Sequence, residues 1–268
     1  MTTAVLLAEL APSLSRLADQ ADAVAAAYVG PPAGQDAIPE HQRAAWFRVL
    51  ASFAKAETLE EEFLAPALAS AQTSGLGHPD VLRFFKSQAH DEERHLGMLR
   101  AYMDAHYGSS TTQTGWLTTM LYDRVMGTFS RRGQRQPLML LLPIYMLEKI
   151  GTIYLNRLAR CAAEAGCEQL QGMLQEIHRD EARHVAGIGA ACRALRAGQG
   201  LGWVDRTILA AIARLLVLDM DRTAWWKRGL RAHMAALNLD GPAMNRDVEA
   251  IYHEIMALLD GDDRHAAA

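Results

Sequence analysis

Apolar residues recur every three or four positions along nearly the whole chain, β-branched runs are rare, and Ala, Leu, Arg, Met and Glu dominate. This spacing lays an apolar stripe along one face of successive helices and predicts an all-α fold. Turn chemistry divides the pattern. An amphipathic opening stretch, "MTTAVLLAELAPSLSRLADQADAVAAAYV", ends at "GPPAGQDAIP" (Gly30–Pro39). A long helix is predicted from about His41 to Ala71, and "TSGLGHP" (Thr73–Pro79) leads into another from about Asp80 to Tyr107. "GSSTTQTG" opens a shorter helix near Trp116 to Ser130, which "RRGQRQP" closes. Pro137 suits a helix start, and the helix it opens continues to about Glu164. The next runs from near Cys167 to Arg196, and "AGQGLG" (Ala197–Gly202) ends it. Two further helices, Trp203–Leu237 and Pro242–Leu259, are predicted before a polar tail. The chain so divided reads as one domain over 1–268: an N-terminal helix and linker (1–40), a bundle (41–197) and C-terminal helices (203–260).

One stretch departs from its own pattern. "LMLLLPIYMLEKIGTIYL" (Leu138–Leu155) has the composition of a buried helix, yet Glu148 sits among Leu140, Leu141, Ile144, Leu147, Ile150, Ile153 and Leu155. An isolated ionised carboxylate in such surroundings costs several kcal/mol unless something pairs with it.

The partner is suggested by an internal repeat. "QAHDEERHLGML" (Gln88–Leu99) aligns with "IHRDEARHVAGI" (Ile177–Ile188), each containing Asp-Glu-x-Arg-His. More weakly, "AETLEEEFLA" (Ala56–Ala65) aligns with "LEKIGTIYLN" (Leu147–Asn156), which sets Glu57 on Glu148. Glu57 precedes Glu92 by 35 residues and Glu148 precedes Glu181 by 33. The repeated unit is a helix with an inward Glu, a turn, and a helix bearing Glu-x-x-His. Two such hairpins are the usual construction of an antiparallel four-helix bundle.

Glu and His three residues apart lie about one turn apart and can point at one centre. A single Glu-x-x-His is a common coincidence. Two in matched contexts, Glu92/His95 and Glu181/His184, are far more specific. Together with Glu57 and Glu148 they supply four carboxylates and two imidazoles, the ligand set of di-iron and di-manganese bundles. Two divalent cations would balance four carboxylates that otherwise repel one another. Oxygen and imidazole ligands without thiolate suit iron or manganese rather than a structural zinc. Glu61 is the alternative to Glu57 as the ligand from the first of these helices, since Glu60 and Glu61 share roughly its face.

These residues carry a resemblance. Residues 50–190 resemble the ferritin-like non-haem diiron-carboxylate superfamily, whose ligands fall here on Glu57, Glu92, His95, Glu148, Glu181 and His184. The resemblance implies a ferritin-like antiparallel four-helix bundle with extra N- and C-terminal helices. It also implies that Asp91 and Asp180 hydrogen-bond ligand imidazoles. Arg94 and Arg183 within the motif are similar to acyl-carrier-protein desaturases, and "YMLEKIG" (Tyr145–Gly151) is similar to the aerobic oxidative ring cyclases of chlorophyll synthesis. The radical-bearing Tyr of ribonucleotide reductase small subunits would fall on Leu99. The extra His of arylamine N-oxygenases would fall on Ile177.

The implied activity is that of a dioxygen-dependent oxidoreductase. It would use two Fe ions (or Mn/Fe) and dioxygen as co-substrate to oxidise, hydroxylate or desaturate a small organic molecule. Alternatives with the same ions are a ferroxidase or iron-handling protein, and a rubrerythrin-like peroxide reductase, although the paired CxxC iron site of rubrerythrins is missing. Tyr145, three residues before Glu148, is a candidate for hydrogen bonding to a ligand or for redox; the plainer reading is a core aromatic with a satisfied hydroxyl. His178 and His90 read as lying beside or outside the centre. Arg131, Arg132 and Arg135 could hold a substrate anion, though loop arginines are more often solvated, and Trp203, Trp225 and Trp226 are expected to pack the C-terminal helices.

Composition narrows the rest. A net charge of −4 over 268 residues gives no pull toward nucleic acid or anionic lipid. Glu148 and Arg214 interrupt the longest apolar runs, which argues against a membrane span. Cys161, Cys167 and Cys192 form neither a CxxC pair nor a disulfide framework, and the opening stretch has no basic leader, so a cytoplasmic setting is expected. An external electron donor or reductase is implied, because no flavin or iron–sulfur module is recognisable, and a homodimer is compatible with the chain.

Overall fold

The computed structural model describes residues 3–28, 36–73, 77–110, 136–198, 201–220, 233–239 and 241–261, with side chains at all of these but 3–4, 59–73, 215–220 and 241. Its described residues form seven long helices: α1 (Thr3–Ala27), α2 (Glu40–Thr73), α3 (Pro79–Tyr107), α4 (Leu138–Glu164), α5 (Glu168–Gly198), α6 (Trp203–Met220) and α7 (Gly241–Asp260). The fold is all-helical, as the apolar spacing predicts. The short helix expected near 116–130 and the loop arginines Arg131, Arg132 and Arg135 lie outside the described residues.

The helix ends follow from local sequence. Pro79 stands in the first turn of α3, and the backbone N–H of Asp80 donates to His78 Nδ1 at 3.3 Å. Gly108, at φ 67°, closes α3 through its N–H to Asp104 O. α4 ends in a Schellman turn: Cys167 N–H bonds Ala162 O, Gly166 N–H bonds Ala163 O, and Gly166 takes φ 72°. This tight turn sends α5 back along α4, so that Tyr145 packs beside Gly189. The N-terminus of α5 is capped from far away in sequence. Asp36 accepts from the N–H groups of Gln169 (3.1 Å) and Leu170 (2.8 Å) and is itself held by the Tyr102 hydroxyl.

Packing follows the stripes. α1 buries Leu7, Ala11, Leu14, Ala18 and Ala21, spaced four and three in alternation, against α3 and α5. α2 lies along α3, with Trp46, Leu50 and Ala54 inward, and α4 lies along α5. α3 also meets α5, and α2 meets α4. α7 rests on α4 and α6, keyed by ion pairs from Lys149 to Glu254 and from Arg157 to Asp247.

The apolar interior falls into two clusters. One contains Phe84, Phe85, Ile144, Tyr145 and Ile188; the other contains Trp46, Leu50, Leu99, Leu158, Leu174 and Ile177. On α3 and α5 the residues between these clusters that continue the buried stripe are polar: Gln88, Asp91, Glu92 and His95 on one, Asp180, Glu181 and His184 on the other. A polar layer therefore divides the core. By length and composition α4 is apolar enough to cross a membrane; here it is a core helix, with 67% of its most apolar window buried and Glu148 within it.

One expectation is corrected. Trp203 does not pack the C-terminal helices: it begins α6 and is 79% exposed. Trp225 and Trp226 lie outside the described residues.

The contact of α3 with α5 depends on a missing side chain. A Cβ on Gly187 would stand 2.1 Å from Cζ of Phe84, whose ring is itself buried. Gly187→Ala is expected to lower unfolding stability by about 1–3 kcal/mol, the usual cost of overpacking. Gly97→Ala is expected to raise it by about 0.5–1 kcal/mol, because Gly97 is exposed within α3 and its added methyl meets nothing. Urea denaturation of the two variants beside the parent checks both signs.

Candidate metal centre

Four helices bring the predicted carboxylates and imidazoles together. Glu57 comes from α2, Glu92 and His95 from α3, Glu148 from α4, and Glu181 and His184 from α5. None is more than 5% exposed. Their ligand atoms form two quartets, each within 4.8 Å: Glu57, Glu92, His95 and Glu181 in one, Glu92, Glu148, Glu181 and His184 in the other. Glu92 and Glu181 belong to both. Each quartet could hold a metal ion, and the two share an edge.

The two halves mirror the repeat. His95 Nδ1 lies 3.2 Å from Glu181, 3.5 Å from Glu57 and 3.7 Å from Glu92. His184 Nδ1 lies 3.1 Å from Glu92, 3.5 Å from Glu148 and 3.7 Å from Glu181. Behind each ring the other nitrogen is held. His95 Nε2 meets Asp180 at 3.1 Å, and His184 Nε2 meets Asp91 at 3.1 Å. The stitching is crossed: the aspartate of each motif holds the imidazole of the other motif, across the α3–α5 contact. A carboxylate on Nε2 fixes the proton there and leaves Nδ1 turned inward as a ligand.

Outside the aspartates, arginines close a ring. Arg94 donates to Asp91 (2.7 Å), to Asp180 and, through its other amino group, to Glu176 (2.9 Å). Arg183 donates to Asp91 at 3.1 Å and pairs with Asp180. Two buried aspartates and two guanidiniums thus balance one another, and removing one member of such a network costs about 3–5 kcal/mol. A cavity of about 360 Å³ lined by Val24, Ala27, Tyr28, Glu176, Arg179, Asp180 and Arg183 reaches this ring from the α1 side.

The inner donor set fits cations. Both oxygens of Glu92, one each of Glu57, Glu148 and Glu181, and the Nδ1 atoms of both histidines are buried without a hydrogen-bond partner. Such orphans are rare in proteins, and metal coordination would satisfy all of them at once.

Without metal, protons balance the charge. Burial, and then repulsion from Glu92, push the Glu57 carboxyl well above its ordinary range; burial and then Glu181 do the same to Glu148. Burial also opposes ionisation of Glu92 and Glu181. For Glu92 the repulsion from Glu181 adds to this, yet the two imidazoles and Glu57 together hold it below the usual value; for Glu181 the Glu148 carboxyl and both imidazoles hold it well below. Burial disfavours charged imidazole, but at His95 Asp180, Glu181, Glu57 and Glu92 overcome it, and at His184 Glu148, Asp91 and Glu181 do so, which raises both histidines well above 6.5. The metal-free cluster thus favours protons on Glu57, Glu148 and both imidazoles and negative charge on Glu92 and Glu181, a division that lowers its net charge. Burial works against Asp91 and Asp180 as well, but hydrogen bonds from His184 and His95 and the arginine charges keep both ionised.

The other sequence-predicted residues fall elsewhere. The Tyr145 hydroxyl donates to Glu254 on α7 at 2.7 Å, so the structure does not join it to the cluster. His178 is half-buried beside Asn156, Arg160 and Gln175, and His90 is exposed. The side chain of Glu61, the alternative to Glu57, lies outside the described residues. Gln88, which no motif in the sequence marks, joins the cluster: its amide Nε2 donates to Glu148 Oε1. Its signal was position, four residues before Glu92 on the same stripe. No family model, curated protein or solved structure matches the chain.

Loading divalent cations should displace protons favoured on Glu57, Glu148, His95 and His184 in the empty cluster. Calorimetric titration in buffers of different ionisation enthalpy measures the protons released, and none released would contradict the charge accounting. The pH dependence of the metal-free protein follows from the raised histidines and the raised Glu57 and Glu148. Their protonated forms are favoured by folding, so their stabilisation is complete below the ordinary values and lost as pH rises through the raised ones. The melting temperature of metal-free protein is expected to fall as pH rises above 6.5, and metal affinity to rise with it.

Proposed function

We propose that the chain is a non-haem dinuclear iron enzyme, or a manganese/iron one, built on a ferritin-like four-helix bundle of α2, α3, α4 and α5. It would use dioxygen to oxidise, hydroxylate or desaturate a small organic substrate. The observation that carries this reading is the pair of ligand quartets sharing Glu92 and Glu181, each with an imidazole Nδ1 turned inward by an aspartate behind it.

The residues divide the work. Glu57, His95, Glu92 and Glu181 would hold one ion, and Glu148, His184, Glu92 and Glu181 the other. Bound ferrous ions would supply the electrons and open coordination positions through which dioxygen is reduced. Asp91 and Asp180 keep the imidazole protons on Nε2, so Nδ1 remains a ligand while charge at the centre changes. The Arg94–Arg183 ring holds both aspartates ionised through such changes. The apolar clusters on either side exclude bulk water, which strengthens every electrostatic contact inside and limits leakage of reactive species. Electrons beyond those of the ions would come from an external donor or from the substrate. Three free cysteines agree with a reducing, cytoplasmic setting, and a homodimer remains part of the proposal.

The reading is tested on metal-free protein given ferrous iron anaerobically and then exposed to dioxygen. The expected result is two irons per chain and dioxygen consumption that depends on them. Glu148→Ala should lose about one equivalent of metal and most of the uptake, whereas His90→Ala should change neither. Glu148→Gln should bind metal poorly yet equal or exceed the parent in stability when both are metal-free, because it removes a carboxyl that burial already disfavours. A chain that binds no iron or manganese, or takes up dioxygen at a rate indifferent to iron, contradicts the proposal.

A further inference from the structure

The repeat that matches Glu92 with Glu181 and His95 with His184 also matches Gln88 with Ile177. Each stands four residues before its shared glutamate, one turn along the same buried stripe. Both are closed to solvent, Gln88 at 1% exposure and Ile177 at 0%. Their chemistry is opposite. Gln88 Nε2, on α3, donates across the bundle interior to Glu148 Oε1 on α4. Isoleucine at the matched place has no donor to offer Glu57. When it holds a cation, Glu148 is ionised and can only accept, so the amide nitrogen is the group that can hold it in that state. The amide oxygen is then left buried with no hydrogen-bond partner. A half-satisfied buried amide is a costly way to fill space that isoleucine fills in the other half without penalty, so packing does not explain Gln88.

What the amide does is restrict Glu148. With Oε1 held by Gln88, rotation of the carboxylate is limited, and Oε2, which has no hydrogen-bond partner, stays aimed at the quartet that includes His184. Resting on the dinuclear reading above, we propose that Gln88 makes the two cation positions unequal: the His184–Glu148 position is prearranged and fills first and more tightly, and the His95–Glu57 position fills second. Partners that orient a metal ligand in this way typically change affinity by about 10–100-fold. Ordered filling of unequal positions is also what a centre needs if it is to hold two different metals. Gln88 is thus a positioning residue that distinguishes the halves of an otherwise matched site.

The test is titration of metal-free protein with Mn(II) alone, with free Mn(II) read by electron paramagnetic resonance and binding heat by calorimetry. The parent should bind one equivalent at least about 10-fold more tightly than the next. His184→Ala should abolish the tight phase, and His95→Ala the weak one. Gln88→Leu, with helix content checked by circular dichroism, should bring the two affinities together, and Ile177→Gln should tighten the weak phase. If Gln88→Leu does not fold, the two histidine variants and Ile177→Gln still decide. Equal affinities in the parent, a ratio unmoved by Gln88→Leu, or loss of the tight phase in His95→Ala instead of His184→Ala overturns the assignment while leaving a dinuclear centre intact. A parent that binds no Mn(II) removes the dinuclear reading and this inference together.

Discussion

Four carboxylates and two imidazoles share a space closed to water between two apolar clusters, and their charges must sum to nearly zero there. Every other feature of the interior serves that constraint. Metal-free, protons serve it: burial and mutual repulsion favour the neutral forms of Glu57 and Glu148, and the surrounding carboxylates favour the charged forms of His95 and His184. Divalent cations would meet it with the four carboxylates ionised and each imidazole keeping only its Nε2 proton. Exchange of protons for cations would keep the buried charge low in both states, as an apolar core requires. Around it, Asp91, Asp180, Arg94 and Arg183 form a second balanced shell whose charges do not change.

The same constraint explains the packing. Polar residues on α3 and α5 occupy the middle of stripes that are apolar on both sides, so the two hairpins must bring their polar turns to one level. The Phe84 ring lies over the bare backbone of Gly187, just beyond His184, and this close approach sets α3 and α5 where each aspartate reaches the other motif's imidazole. The C-terminal helix is keyed to the same framework through Tyr145 and Lys149, which both bond Glu254, one turn or less from Glu148 along α4.

Much of this was legible in the chain itself. Glu148 was conspicuous because its neighbours are leucine and isoleucine, and the repeat of Asp-Glu-x-Arg-His identified the partners that the structure brings to it. Glu57, which aligns with Glu148, lies in one quartet, while the side chain of Glu61 is outside the described residues. Other features could not be read. Which imidazole each aspartate serves depends on how α3 and α5 cross, and no local spacing encodes that crossing. Tyr145 lies about 60° around the helix from Glu148, enough to send its hydroxyl to α7, whose position is a long-range fact. Asp36, in a segment that reads only as a linker, caps a helix more than a hundred residues away. Gln88 was hidden because glutamine is an ordinary helix residue, and only the amide's contact with Glu148 distinguishes it.

The central claim, that the polar layer exists to hold two cations, is tested most directly by anomalous diffraction at the iron absorption edge from crystals prepared anaerobically with ferrous salt. The account predicts two peaks per chain, both flanked by Glu92 and Glu181, one within coordinating distance of His95 Nδ1 and the other of His184 Nδ1. A map with no anomalous density between those residues, the carboxyls and imidazoles bonded only to one another, would contradict it.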